Sequence, residues 1–118
     1  MQRVLIVDDE TRILRFTEIA LRSHGYEVDT APSGEAALQM IKATKPDIVV
    51  LDLVMPGMHG FDVLQELRTF SDVPVVAFSA RGRVSDDALA RGASDFLPKP
   101  FTVQELLQKI QALLPPER

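Results

Sequence analysis

The sequence has no cysteine among its 118 residues. That excludes a disulfide framework and any thiolate metal site, and it suits a reducing compartment. Basic residues are also in deficit. Thirteen Lys and Arg stand against 17 Asp and Glu, a formal charge of -4, so this domain is not expected to grip nucleic acid. No apolar run approaches the roughly 18 residues that a membrane span requires, and no membrane partner is expected. After Arg3 only residues 4–7 are apolar before two aspartates interrupt, which does not read as a signal peptide. A G-x-x-x-x-G-K-[ST] motif is missing, so P-loop nucleotide chemistry is excluded. What is present is ordinary: 46% hydrophobic and 25% charged residues, too apolar for a disordered chain and enough for one globular domain. The expectation is a single cytoplasmic domain over residues 1–114. Residues 115–118, Pro-Pro-Glu-Arg, form a tail or the start of a linker.

Strand and helix signals alternate along the chain. Residues 4–7, 48–51 and 73–78 are short apolar runs rich in β-branched residues, as strands covered on both faces should be. Weaker strand signals fall at residues 26–31 and 94–97. Between them, Ile13, Phe16, Thr17, Ala20 and Leu21 share one helical face, with Gly25 as its stop. Ser33 can cap a second helix carrying Ala37, Leu38 and Ile41 that ends before Pro46. Phe61, Leu64 and Leu67 mark a third. Ser85 can cap a short fourth helix with Asp86 and Asp87 in its first turn, Arg91 near its end and Gly92 after it. Thr102 and Glu105 have capping-box spacing before Leu106, Leu107, Ile110, Leu113 and Leu114. Five strand–helix units predict an α/β fold with a parallel sheet and helices on both faces.

In such a sheet, ligands bind beyond the carboxyl ends of the strands. The first strand signal ends in Asp8-Asp9, the third in Asp52 and the fourth in Ser79, and the fifth runs through Pro98 to Lys99. Taken singly, Asp8 or Asp9 could cap a helix, Ser79 could serve a turn, and Lys99 could be solvated. Asp52 interrupts a long apolar stretch, where an unpaired carboxylate is costly. Converging at one edge, three acids call for a cation, and all-oxygen ligation suits Mg²⁺ better than zinc. A carboxylate beside Mg²⁺, a hydroxyl donor and a Lys can accept a phosphoryl group as an aspartyl phosphate. His24 suits a helix C-terminus and His59 an exposed Gly-rich turn; neither has a partner at metal-ligand spacing.

Four segments in this order resemble the response-regulator receiver domains of two-component signalling: V-L-I-V-D-D-E at residues 4–10, L-D-L-V-M-P-G at 51–57, F-S-A-R at 78–81, and G-A-S-D-F-L-P-K-P-F at 92–101. The resemblance covers nearly the whole chain. It implies the flavodoxin-like, doubly wound strand order 2-1-3-4-5 with five helices. It implies Asp52 as phosphoacceptor, fed by a sensor histidine kinase or a phosphotransfer protein. Mg²⁺ would be held by Asp9, by Asp8 through water, by Asp52 and by the Val54 backbone carbonyl. Lys99 would bind the phosphoryl group and Ser79 and Phe96 would form the switch pair. The peptide bond Lys99-Pro100 would be cis. A phosphorylation-dependent homodimer would form through the fourth helix, fifth strand and fifth helix, where Asp95 and Lys109 match positions that pair across dimers. Such a domain catalyses only its own phosphorylation and dephosphorylation and is otherwise no enzyme.

The chain departs from that pattern in three places. The interval from Ser79 to Gly92 is a residue or two short, so the fourth helix should be truncated or shifted. His59 stands where many members carry Asp, and Pro98 precedes Lys99. Two other readings compete. A degenerate receiver acting only as an interaction module would lack an acid or the Lys, and none is lost. An aspartyl-phosphate phosphatase or phosphotransferase would place its nucleophile after the first strand in Asp-x-Asp, whereas Asp8 and Asp9 are adjacent.

Overall fold

A computed structural model describes residues 2–54, 59–79 and 85–114, apart from the side chains of Ser85 and Asp86. Met55, Pro56, Gly57, Ala80, Arg81 and the tail at 115–118, all used in the sequence reading, lie outside the described residues. The order of elements is β1 (Arg3–Val7), α1 (Thr11–Ser23), β2 (Glu27–Ala31), α2 (Gly34–Thr44), β3 (Ile48–Asp52), α3 (Gly60–Arg68), β4 (Val75–Ser79), α4 (Ser85–Ala90), β5 (Asp95–Pro98) and α5 (Val103–Leu113). The strands pair in parallel in the order β2-β1-β3-β4-β5. Parallel neighbours need crossovers, and the helices supply them on both faces.

Two apolar layers result. Leu5, Val7, Val49, Leu51, Val75 and Ala77 face one layer with Val63, Leu64 and Leu67 of α3. Val4, Ile6, Ile48, Val50, Val76 and Phe78 face the other with Leu106, Leu107 and Ile110 of α5. Both sides of β3 and β4 are buried throughout, which explains their unbroken apolar sequence.

Local signals agree with the helix ends. Ser33 accepts the Ala36 N–H at 3.2 Å, and Thr102 and Glu105 form a reciprocal capping box. Gly25 and Gly92 both take positive φ, at 92° and 110°, after α1 and α4, where a side chain would be strained. His24 closes α1, its ring Nδ1 2.8 Å from the Ala20 carbonyl. Among the described residues the fourth helix covers six, Ser85–Ala90.

The expected face of α1 holds at Thr17 and Leu21, which are buried together with Leu14. It needs correction at Phe16, which is 65% exposed, and at Ile13 and Ala20, which are only half-buried. Ile13, Phe16 and Ala20 repeat with the same 3-then-4 spacing as Leu14, Thr17 and Leu21, one position earlier. Helical period alone does not decide which of two adjacent arcs meets the sheet. Strand ends shift by a residue or two as well: β4 reaches Ser79 and β5 reaches Pro98.

Candidate functional site

Strand alternation decides which side chains meet at the carboxyl edge. Val4 and Ile6, Ile48 and Val50, Val76 and Phe78, and Leu97 all face the α1/α5 layer. Continuing the counts of β1, β3 and β5 by two brings Asp8, Asp52 and Lys99 to that same face. Asp52 is the last residue of β3, and its register partner on β4 is Phe78.

The two buried acids are held in the same way. Asp8 Oδ1 accepts the Glu10 N–H at 3.0 Å, and Asp52 Oδ1 accepts the Val54 N–H at 3.0 Å. Their second oxygens share one cation: Lys99 Nζ lies 3.4 Å from Asp8 Oδ2 and 3.2 Å from Asp52 Oδ2. Glu10 Oε1 stands further off, at 4.0 Å from the same ammonium, and is exposed. Residues 91 and 47 positions apart in the chain thus meet at one nitrogen.

Electrostatics follow from burial. Asp8 has no solvent exposure, and burial pushes its carboxyl up from the ordinary 3.8 to about 6. The Glu10 N–H and the Lys99 ammonium work against that rise, while the Asp52 charge adds to it. Burial draws the Lys99 ammonium down, but the charges and hydrogen bonds of Asp52 and Asp8 outweigh it and leave the group raised. The ammonium is therefore charged at neutral pH.

Asp9 completes the acidic group. It is exposed, and one carboxylate oxygen from each of Asp8, Asp9 and Asp52 lies within 4.8 Å of the others. Three carboxylates against one ammonium leave negative charge in excess, and burial, with the Asp52 charge adding to it, makes Asp8 easier to protonate than an ordinary carboxyl. An oxygen-only set at this spacing fits a hard divalent cation.

The remaining expected site residues lie at the same edge. Ser79 is fully buried at the end of β4, and its carbonyl accepts the Lys99 N–H at 2.8 Å. Ser79 follows Val75 and Ala77 on the α3 side of the sheet, and Phe96, paired in register with Ala77, packs half-buried on that side. The proposed switch pair therefore shares a face, opposite to the face of Lys99. Val54 lies beside the acids, 45% exposed. The Lys99-Pro100 bond is cis.

Sequence reasoning overlooked two residues here. Gly60 opens α3 directly beneath the site: a methyl group at its Cα would overlap the Asp52 carbonyl oxygen and the Leu53 Cα. Its place within a Gly-rich stretch read only as a turn. Phe78 read as a core residue of a strand, yet its ring faces the Lys99 ammonium at 4.8 Å.

Comparison with known proteins agrees with this geometry. Residues 4–111 match the response regulator receiver domain family. The chain is 44% identical over 115 residues to the probable transcriptional regulator ycf27 of Cyanophora paradoxa, covering 96% of this chain and 48% of that protein. It is 42% identical to the response regulator MprA of Mycolicibacterium vanbaalenii, covering 95% of this chain and 50% of the relative. The chain thus spans about half the length of the curated relatives it matches. Among solved structures, TrrA of Thermotoga maritima in complex with Mg²⁺-BeF superposes with a TM-score of 0.89 at 36% identity, over 97% of this chain and all of that one (100%). The chemotaxis protein CheY4 of Vibrio cholerae gives 0.88 at 31% identity, over 97% and 99% of the two chains. The strand order 2-1-3-4-5 and its five helices are the flavodoxin-like arrangement of these neighbours. The chain belongs to the receiver domains of two-component response regulators.

Proposed function

We propose that Asp52 accepts a phosphoryl group from the phosphohistidine of a sensor kinase or phosphotransfer protein, and that its charge then switches a binding surface. The observation that carries this reading is the Lys99 ammonium shared between Asp8 and Asp52 inside an oxygen-only acidic cluster. The Val54 N–H fixes Asp52 Oδ1, so the lone pairs of Oδ2, on the Lys99 side, attack phosphorus. The new P–O bond forms as the P–N bond of the donor breaks, and the departing imidazole keeps the electron pair and takes a proton. Lys99 meets the charge on the transferring oxygens, and the Ser79 hydroxyl donates to one of them. Asp8, Asp9, Asp52 and the Val54 carbonyl would hold Mg²⁺, which when bound neutralises phosphoryl charge and lets Asp8 stay ionised.

Ile13 and Phe16 of α1, together with Lys99, Pro100 and Phe101, line a largely apolar groove. A phosphodonor protein seated there would bring its histidine to Asp52, which makes this groove the docking face for the donor. No helix among the described residues is long and apolar enough to cross a membrane, and we place the domain in the cytoplasm, where it acts on itself alone rather than as an enzyme on other substrates. The output surface comprises α4, β5 and α5, through which a phosphorylation-dependent homodimer forms.

The test is phosphorylation with acetyl phosphate with and without a chelator. Incorporation should need divalent metal and vanish in Asp52→Asn. Full incorporation without metal, or in Asp52→Asn, overturns the reading.

A further inference from the structure

Besides its carboxylates, Lys99 has a partner that carries no charge. Its Nζ lies 4.8 Å from the centroid of the Phe78 ring. That ring is 1% exposed, and it meets the Phe101 ring edge-on, centroids 5.5 Å apart and planes 75° to one another. Phe78 pairs in register with Asp52 on one side and Leu97 on the other, and it immediately precedes Ser79. The ring therefore lies between the strand that carries the acid and the strand that leads to the lysine.

An ammonium on a four-carbon stem is a mobile, strongly hydrated point charge. Asp8 and Asp52 attract it, but both carboxylates change partners once a cation and a phosphoryl group arrive. The negative face of an aromatic ring does not change. A desolvated ring beneath the ammonium keeps attracting it in every state of the acids. An aliphatic side chain of similar volume would fill the same core position without that attraction. Phe101 contributes by fixing the tilt of the ring, and the backbone ties the two sides together through the Lys99 N–H to the Ser79 carbonyl at 2.8 Å.

We propose that Phe78 is a positioning residue for Lys99: its ring holds the ammonium where the phosphoryl oxygens on Asp52 will meet it. The inference rests on the reading of Asp52 and Lys99 as the phosphoryl site. It assigns to the residue before the switch serine a part in phosphoryl recognition as well as in packing.

The test replaces Phe78 with mono-, di- and trifluorinated phenylalanine, which withdraw electron density from the ring face with little change of shape. Affinity for beryllofluoride at saturating Mg²⁺ is measured for each protein, with Mg²⁺ affinity measured alone. Beryllofluoride affinity should fall stepwise, to about three- to tenfold below the parent, while Mg²⁺ affinity stays constant. Phe78→Leu should show a comparable loss, and the Lys99 Hε protons should lose the upfield displacement that a ring beneath them produces in the NMR spectrum. A flat fluorination series, with Lys99→Ala still losing beryllofluoride, overturns the role of Phe78 and leaves the site reading standing. Undiminished beryllofluoride affinity in Lys99→Ala overturns the site reading itself, and the inference with it.

Discussion

Lys109 Nζ lies 3.1 Å from Asp95 Oδ2 within a single chain, joining α5 to β5 on the face proposed to dimerise. Both side chains are about one-third exposed, so the pair adds at most about 1 kcal/mol to folding and can be exchanged for a partner's. Glu105 is committed elsewhere, to the capping box of α5. Sedimentation with beryllofluoride and Mg²⁺ should show association of the parent protein and weakened association of Lys109→Asp. The double exchange Asp95→Lys with Lys109→Asp should restore it. No change in association on activation would point to a monomeric output.

The raised carboxyl of Asp8 makes the metal-free protein sensitive to pH. Its folded-state value is about 6 against an ordinary 3.8, so between those values the folded state binds more protons than the unfolded one. Stability must then fall as pH rises through that window, by on the order of 2 kcal/mol. Chelated protein should melt higher near about pH 5 than near pH 7, and added Mg²⁺ should stabilise more at the higher pH. Chelated protein that gains stability from pH 5 to 7 would contradict the buried, protonated Asp8.

Val54 should govern how long the phosphoryl group lasts. Hydrolysis needs a water held in line with the breaking bond. The Val54 side chain is exposed beside Asp52 and has no atom that can orient that water. Replacing it in Val54→Asn should speed loss of phosphate while Mg²⁺ affinity changes little. Decay followed by radiolabel that is unchanged or slower would show that Val54 does not control access of water to the phosphoryl group.

Much of this architecture was readable in advance because its signals are local. Buried parallel strands have unbroken β-branched runs, and residues 4–7 and 48–51 lie inside β1 and β3. Capping chemistry placed Ser33, Thr102 and Glu105 at helix starts. The meeting of Asp8, Asp52 and Lys99 was legible too, since strand-end residues of a parallel sheet share an edge. What escaped depends on contacts between elements. The expected face of α1 held Thr17 and Leu21 but took in Phe16 instead of Leu14, because packing against the sheet, and not helical period, chooses between adjacent stripes. Asp95 and Lys109 pair within the chain, a fact that strand and helix periods do not encode. Arg68, unremarked in the sequence, donates to the Gly92, Ser71 and Val73 carbonyls at 2.9, 3.2 and 2.7 Å, tying the end of α3 to the loop before β5.

The most direct test locates the phosphoryl group itself. Protein phosphorylated by acetyl phosphate with Mg²⁺ is reduced with borohydride, which converts an aspartyl phosphate to homoserine, and is then sequenced by tandem mass spectrometry. Homoserine is expected at residue 52 alone, with Asp8 and Asp9 recovered intact. Homoserine at either of those positions, or none anywhere despite incorporated phosphate, would contradict it.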